Sequence, residues 1–233
     1  MNQSNDKIEA LARSCGVPLV GVADLSRVQA YMHQEYGDAW NRYPRAVVFG
    51  LPYPREVVNQ LAEGPTHTYL YYYNVLNTKL DELALRCALM LQDEGYEAFP
   101  IPASQRMGEQ RLTGIFSHRL AAQLAGLGWI GKNSSLIHPL YGPRLRLVSI
   151  LTNASLQTDK PIEQKCGDCR ACVDACPSQA ITGRAFHETD EIEKRFLGER
   201  CDEHLSRVRS AFGKRVCGKC LAACPYGKVG YDG

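Results

Sequence analysis

Apolar residues recur along this chain with two different periods, and the switches between them mark out its elements. Ile8, Leu11, Ala12 and Cys15 fall on one face of a helix that Asn5 or Ser4 can cap and Gly16 ends. Leu19–Ala23 and Arg45–Leu51 are short apolar runs that read as buried strands, the second stopped by Pro52 and Pro54. Residues 25–36 between them read as helical but polar, and Gly64–Pro65 breaks the chain after a short helical stretch. The longest pattern follows. Tyr69, Tyr73, Leu76, Leu80, Leu83, Ala84, Cys87 and Leu91 keep the helical period until Gly95. Its start, H-T-Y-L-Y-Y-Y-N, crowds tyrosines onto successive positions. Neighbours on a helix point about 100° apart, so some of these rings leave the core face. They serve either packing or the wall of a cofactor or substrate site.

Tyr96–Ile101 reads as another strand. Residues 102–116 are polar and lack periodicity, which makes them a candidate functional loop. Ser117 can cap a helix carrying Leu120, Leu124 and Leu127. Trp129–Asn133 then reads as a tight loop, and Ser135–Ile137 with Leu145–Leu151 as a hairpin around residues 139–143. Strands separated by helices, then a hairpin, predict an α+β layer. The boundary falls at Lys160–Pro161, giving a domain over residues 1–160 and a second over residues 161–233. No G-x-G-x-x-G follows a strand, so a Rossmann dinucleotide site has no support.

Composition narrows the classes. The 233 residues include 27 basic and 25 acidic side chains, a formal charge of +2 that supports no strong nucleic-acid footprint. The N-terminal residues lack an apolar signal region, and no apolar run is long enough to span a bilayer, so no membrane partner is expected.

The cysteines carry the chemistry. C-G-D-C-R-A-C-V-D-A-C-P sets Cys166, Cys169, Cys172 and Cys176 in the C-x2-C-x2-C-x3-C-P spacing of two-cluster ferredoxins. C-G-K-C-L-A-A-C-P repeats it with Cys217, Cys220 and Cys224, one thiol short, and Cys201 can supply the last ligand. Two-residue gaps let the backbone curl around a cubane, while the cysteine before proline points away and ligates the neighbouring cluster. The spacing therefore predicts two [4Fe–4S] clusters. One is held by Cys166, Cys169, Cys172 and Cys224, the other by Cys176, Cys201, Cys217 and Cys220. Structural zinc normally pairs two C-x2-C knuckles rather than running three thiols in series, and a disulfide framework suits small secreted chains. Thiols poised for metal imply a reducing, cytoplasmic compartment. Cys15 and Cys87 read as buried apolar thiols instead.

Three stretches carry a resemblance. They are A-G-L-G-W-I-G-K-N-S from Ala125, Y-G-P-R-L-R-L-V-S-I-L-T from Tyr141, and R-C-D-E-H-L from Arg200. Together with the cysteine pattern, they resemble the epoxyqueuosine reductase family, which is similar to reductive dehalogenases. The resemblance implies a nitroreductase-like cofactor domain that binds cobalamin, followed by a two-cluster ferredoxin-like domain. It places Gly128, Trp129, Ile130, Gly131, Lys132 and Asn133 at the cofactor, with the glycines admitting close approach and Lys132 meeting a phosphate. His118 and Arg119, at the start of the preceding helix, would face it too. Tyr71, in Tyr71–Asn74, stands where the family carries a proton-donating aspartate. Asp202 and His204 match only part of a D-x-H-x-x-G corrinoid loop and read as accidental.

The chain continues only nine residues past Cys224, where family members extend into a helical tRNA-binding region. That argues against a nucleic-acid substrate and leaves a small-molecule or protein-bound one. Electrons would come from an external low-potential donor such as ferredoxin or flavodoxin. Two alternatives stay open: FMN in place of the corrinoid, or a non-catalytic electron carrier or reductive activator.

Overall fold

Leu19–Asp24 (β1) and Arg45–Pro52 (β2) are buried at most positions because both consist of small and branched apolar residues. In the computed structural model, which describes residues 3–105, 114–187 and 190–228, they pair antiparallel from Leu19 opposite Gly50 to Asp24 opposite Arg45. Ala98–Ile101 (β3) pairs antiparallel with the later run Leu145–Thr152, and the four strands stand in the order β1, β2, Leu145–Thr152, β3. The chain divides into two compact units. The first comprises Met1–Leu51, Val75–Leu127 and Arg146–Ile162, and the second Pro52–Asn74, Gly128–Leu145 and Glu163–Gly233. Two segments ahead of Lys160–Pro161 thus group with the cysteine-rich part.

The first unit holds the sheet. Helix α1 (Gln3–Ser14) buries Ile8 and Ala12, and Gly16 follows at φ +64°. Its expected caps lie inside the helix and are taken by distant partners: Ser4 donates to Glu94, and Asn5 bonds the backbone of Gln157. The polar stretch after β1 is a 3₁₀ turn and then α2 (Gln29–Tyr36), which buries only Met32. The second unit opens with the short α3 (Arg55–Asn59). The long pattern forms α4 (His67–Asp93), whose residues up to Asn74 belong to the second unit and those from Val75 to the first. Leu80, Leu83, Cys87 and Leu91 are buried along it. Ser117 accepts a hydrogen bond from the Leu120 N–H at 3.3 Å and starts α5 (His118–Leu124), which packs against β1. Most of the candidate loop, residues 106–113, lies outside the described residues.

Two expectations need correcting. Trp129–Ile130 is a strand (β4), paired antiparallel with Leu136–Ile137 (β5) and closed by a turn through Gly131–Ser135. Leu145–Thr152 (β6) does not form a hairpin with β5 but lies between β2 and β3. The reason is its burial, which is nearly continuous, and an interior strand needs a partner along each side. Cys15 also departs from its buried reading. It is half-buried, and Arg86 donates to its sulfur at 3.0 Å.

Candidate metal centre

The centre lies within the second unit, on loops that carry little regular structure. Cys166 and Cys169 precede α6 (Ala171–Asp174), Cys201 lies in α7 (Gly198–Phe212), and Cys220 in α8 (Lys219–Ala223). None of the ten cysteines is in a disulfide. Among the described residues, no three His, Cys, Asp or Glu side chains stand close enough to hold a single metal ion. A cubane makes a different demand, because each thiolate binds a separate iron.

The thiols act on one another in two sets. Burial raises the Cys172 pKa, and the Cys166 and Cys169 charges raise it further. Burial takes Cys224 to about 11, with Cys172 and Cys166 adding to the rise against hydrogen bonding at Tyr226 and the Arg144 charge. Cys201 is likewise raised to about 11 by burial, then by Cys217 and Cys176. Cys220 is raised by burial and then by Cys217, Cys176 and Cys201, with a last and smaller push from Cys172. Cys176 differs. Burial pushes it up, but hydrogen bonds from Ser178, Ala180 and Ile181 outweigh that and hold it below the ordinary thiol range. Thiolates gathered this way repel one another until a cationic core lies between them, so the donor set fits an iron–sulfur cluster.

The G-W-I-G-K-N stretch closes onto both cysteine runs. The Trp129 indole N–H donates to the Cys166 sulfur at 3.4 Å, and Trp129 is 1% exposed with its ring edge-on to Tyr226. Lys132 donates to the carbonyls of Gly167 at 2.7 Å and Cys169 at 3.1 Å. Asn133 donates to the Cys220 carbonyl at 3.4 Å. Ile130 is buried in β4. A Cβ on Gly128 would lie 2.3 Å from the Ile137 carbonyl oxygen, and one on Gly131 2.7 Å from the Ile137 side chain. Both glycines therefore meet the need of the β4–β5 pair for close approach, and Lys132 spends donors on backbone carbonyls.

Arg144, in the Tyr141–Thr152 stretch, is a residue for which the sequence alone suggests no role. It is 2% exposed and donates to the carbonyls of Ala222, Cys224 and Tyr226 and to the Asn59 side-chain oxygen. Burial lowers its pKa, while the Cys224 charge opposes that. The signal is the two arginines, Arg144 and Arg146, alternating with leucines at the strand entry R-L-R-L-V, because such charges are buried only when they hold something.

Other expected site residues lie elsewhere. Tyr71 is 67% exposed on α4, T-stacked with Tyr72, whereas Tyr69 is buried against Tyr53. His118, in the first unit, bonds the Pro102 carbonyl through Nε2 and Ser149 through Nδ1, both at 2.9 Å. Its pKa is lowered to about 4, chiefly by burial, with Arg146 and Arg119 adding to the effect. Arg119 is exposed. Asp202 pairs with Arg215, and His204 lies two residues further along α7.

The spacing, the two sets and the donors around them describe one kind of centre. Residues 165–227 match the 4Fe-4S double cluster binding domain. The chain is also similar to two groups of reductases. It is 35% identical over 118 residues to an epoxyqueuosine reductase of Bacillus cereus, covering 50% of this chain and 31% of that one. It is 30% identical over 222 residues to a tetrachloroethene reductive dehalogenase of Desulfitobacterium hafniense, covering 87% and 37%. The matched stretch thus spans about a third of these curated relatives. An epoxyqueuosine reductase solved with an epoxyqueuosine-modified tRNA stem loop superposes with TM-score 0.62 at 22% identity, over 97% of this chain and 66% of that one. A reductive dehalogenase described for B12-dependent dehalogenation gives TM-score 0.68 at 20% identity, over 95% and 32%. The mixed helix and sheet fold is the one these structures share. Among the described residues no helix is long and apolar enough to cross a membrane.

Proposed function

We propose that the protein is a cytoplasmic oxidoreductase whose two [4Fe–4S] clusters pass single electrons from an external low-potential donor to a corrinoid that performs a reductive cleavage. The carrying observation is the sorting of the thiols, in which Cys224 interacts with the first run and Cys176 with the second. One cluster is held by Cys166, Cys169, Cys172 and Cys224, the other by Cys176, Cys201, Cys217 and Cys220. Trp129 bonds the Cys166 sulfur, and Lys132, Asn133 and Arg144 fix the backbone that presents these thiols, which shed their protons as iron binds. A bound corrinoid would supply a strongly reducing cobalt centre. The exposed Tyr71 phenol is free of the core and serves as proton source for the cleaved product.

Similarity to B12-dependent dehalogenases supports the corrinoid over a flavin. Similarity to a reductase held with a modified tRNA stem loop supports a modified tRNA base as a substrate class, against the reading drawn from the chain's length. Anaerobic isolation followed by iron, cobalt and flavin analysis tests the proposal. About eight irons per chain with cobalt are expected. Flavin in place of cobalt makes the protein a flavin reductase, and clusters alone make it an electron carrier. Zinc without iron overturns the redox reading.

A further inference from the structure

Lys132 and Arg144 are buried cations, 8% and 2% exposed, and both flank the first thiol set. Lys132 bonds the carbonyls of Gly167 and Cys169, within the first run. Arg144 bonds the carbonyl of Cys224, which belongs to the same set. Neither makes an ion pair with a carboxylate among the described residues; Lys132 donates to carbonyls, and Arg144 to carbonyls and the Asn59 amide oxygen, with the Glu56 charge acting on it only as a minor influence. A buried ammonium or guanidinium without an anion is costly. A thiolate-ligated cluster is an anion, and it becomes more negative when reduced.

The second set is surrounded differently. The Arg215 charge acts on Cys201, but that guanidinium is paired with Asp202. Lys219, beside Cys220, is felt at His204. Hydrogen bonds to sulfur reach both sets: Trp129 donates to Cys166 at 3.4 Å and the Tyr226 backbone acts on Cys224 in the first, while Ser178, Ala180 and Ile181 act on Cys176 in the second. Asp168, on the first run, is exposed and screened by water. Arg195 is buried as well, but it is stacked on the Phe186 ring, so the two buried cations that bond the backbone of cluster ligands lie at the first set.

We infer that the cluster on Cys166, Cys169, Cys172 and Cys224 has the higher reduction potential of the two, and that Lys132 is a positioning and charge-balancing residue that keeps it so. This rests on the two-cluster reading above. Each cluster accepts one electron from the external donor with no bond broken, and the added negative charge is stabilised more at the first set. Electrons entering the domain come to rest there.

The test is a redox titration of the anaerobically prepared holoprotein, with titanium(III) citrate as reductant and electron paramagnetic resonance as readout. Cys169→Ser places an oxygen ligand in the first set and so marks that cluster's signal. The marked signal should belong to the upper of two waves. Lys132→Gln should shift the upper wave to lower potential and leave the other in place, while Lys132→Arg keeps the charge and holds the potential near wild type. Trp129→Phe should lower the same wave by removing one donor to sulfur. A Lys132→Gln protein with full iron and unmoved potentials overturns the inference alone. So does a marked cluster that titrates in the lower wave, a result that needs no Lys132 variant to fold. A wild-type preparation without iron overturns the cluster reading and this inference together.

Discussion

Arg144 donates to the carbonyl oxygen of Cys224 from both terminal nitrogens, at 3.3 and 3.4 Å. The same guanidinium holds the Ala222 carbonyl at 3.1 Å, so one side chain of the strand entry fixes the end of the second cysteine run. Arg144→Ala leaves these buried carbonyls without donors. The expected cost is about 3 kcal/mol of stability, together with loss of iron from the first set, to which Cys224 belongs. Arg144→Lys should recover only part of it, since a single ammonium cannot fork to several carbonyls. Thermal unfolding and the iron-to-protein ratio of the two variants measure both effects.

Gly128 tests whether the G-W-I-G stretch is shaped by its own backbone. A Cβ there would sit 2.3 Å from the Ile137 carbonyl oxygen and 2.8 Å from its carbon, both backbone atoms that cannot step aside. Gly128→Ala should cost about 2–3 kcal/mol by parting β4 from β5. Gly64→Ala is the control. It belongs to the same unit, has nothing within 4 Å of the added methyl and should be neutral or slightly stabilising. Denaturant unfolding of the pair separates close approach from a general effect of losing glycine.

His118 makes stability depend on pH. The Pro102 carbonyl can only accept, so Nε2 carries the proton and Nδ1 accepts from the Ser149 hydroxyl, which is the neutral ring. Its folded pKa of about 4 lies below the ordinary value of 6.5. Between these values the unfolded chain binds the proton more readily. The contribution is therefore intact above the unfolded pKa and is lost as pH falls toward the folded one, by up to about 3 kcal/mol. Urea unfolding from about pH 7 to about pH 5 should show a steeper loss in wild type than in His118→Gln. Equal slopes would mean that His118 is not the group responsible.

What could be read from the chain beforehand was what neighbours in sequence decide. β1, β2, α4 and the Ser117 cap each follow from a local period or a single hydrogen bond, and the cysteine spacing follows from how a loop wraps a cubane. The partners of the G-W-I-G-K-N stretch could not be read that way. Trp129 meets Cys166 across 37 residues and Arg144 meets Cys224 across 80, distances over which no period carries information. β6 failed for a related reason. Its apolar run is plain in the sequence, but which strands flank a buried run is settled by the whole sheet, not by the next turn. A lysine after glycines invites an anion, which is why Lys132 reads in sequence as a phosphate ligand. In the folded chain it lies on the carbonyls of Gly167 and Cys169, within the anionic thiol loop.

The crossed ligation can be decided by counting iron in double variants. Cys224 and Cys166 belong to one proposed set, although they lie in different runs, and their charges act on each other. Cys224→Ala alone should cost about four irons, and adding Cys166→Ala should cost no more, since both ligands serve the same cluster. Adding Cys217→Ala to Cys224→Ala should instead remove the remaining iron. Ligation run by run gives the opposite pattern: Cys224→Ala with Cys217→Ala would spare one cluster, and Cys224→Ala with Cys166→Ala would lose both. Iron and acid-labile sulfide measured on the two anaerobically isolated double variants distinguish these outcomes, because the same three substitutions lead to opposite iron counts.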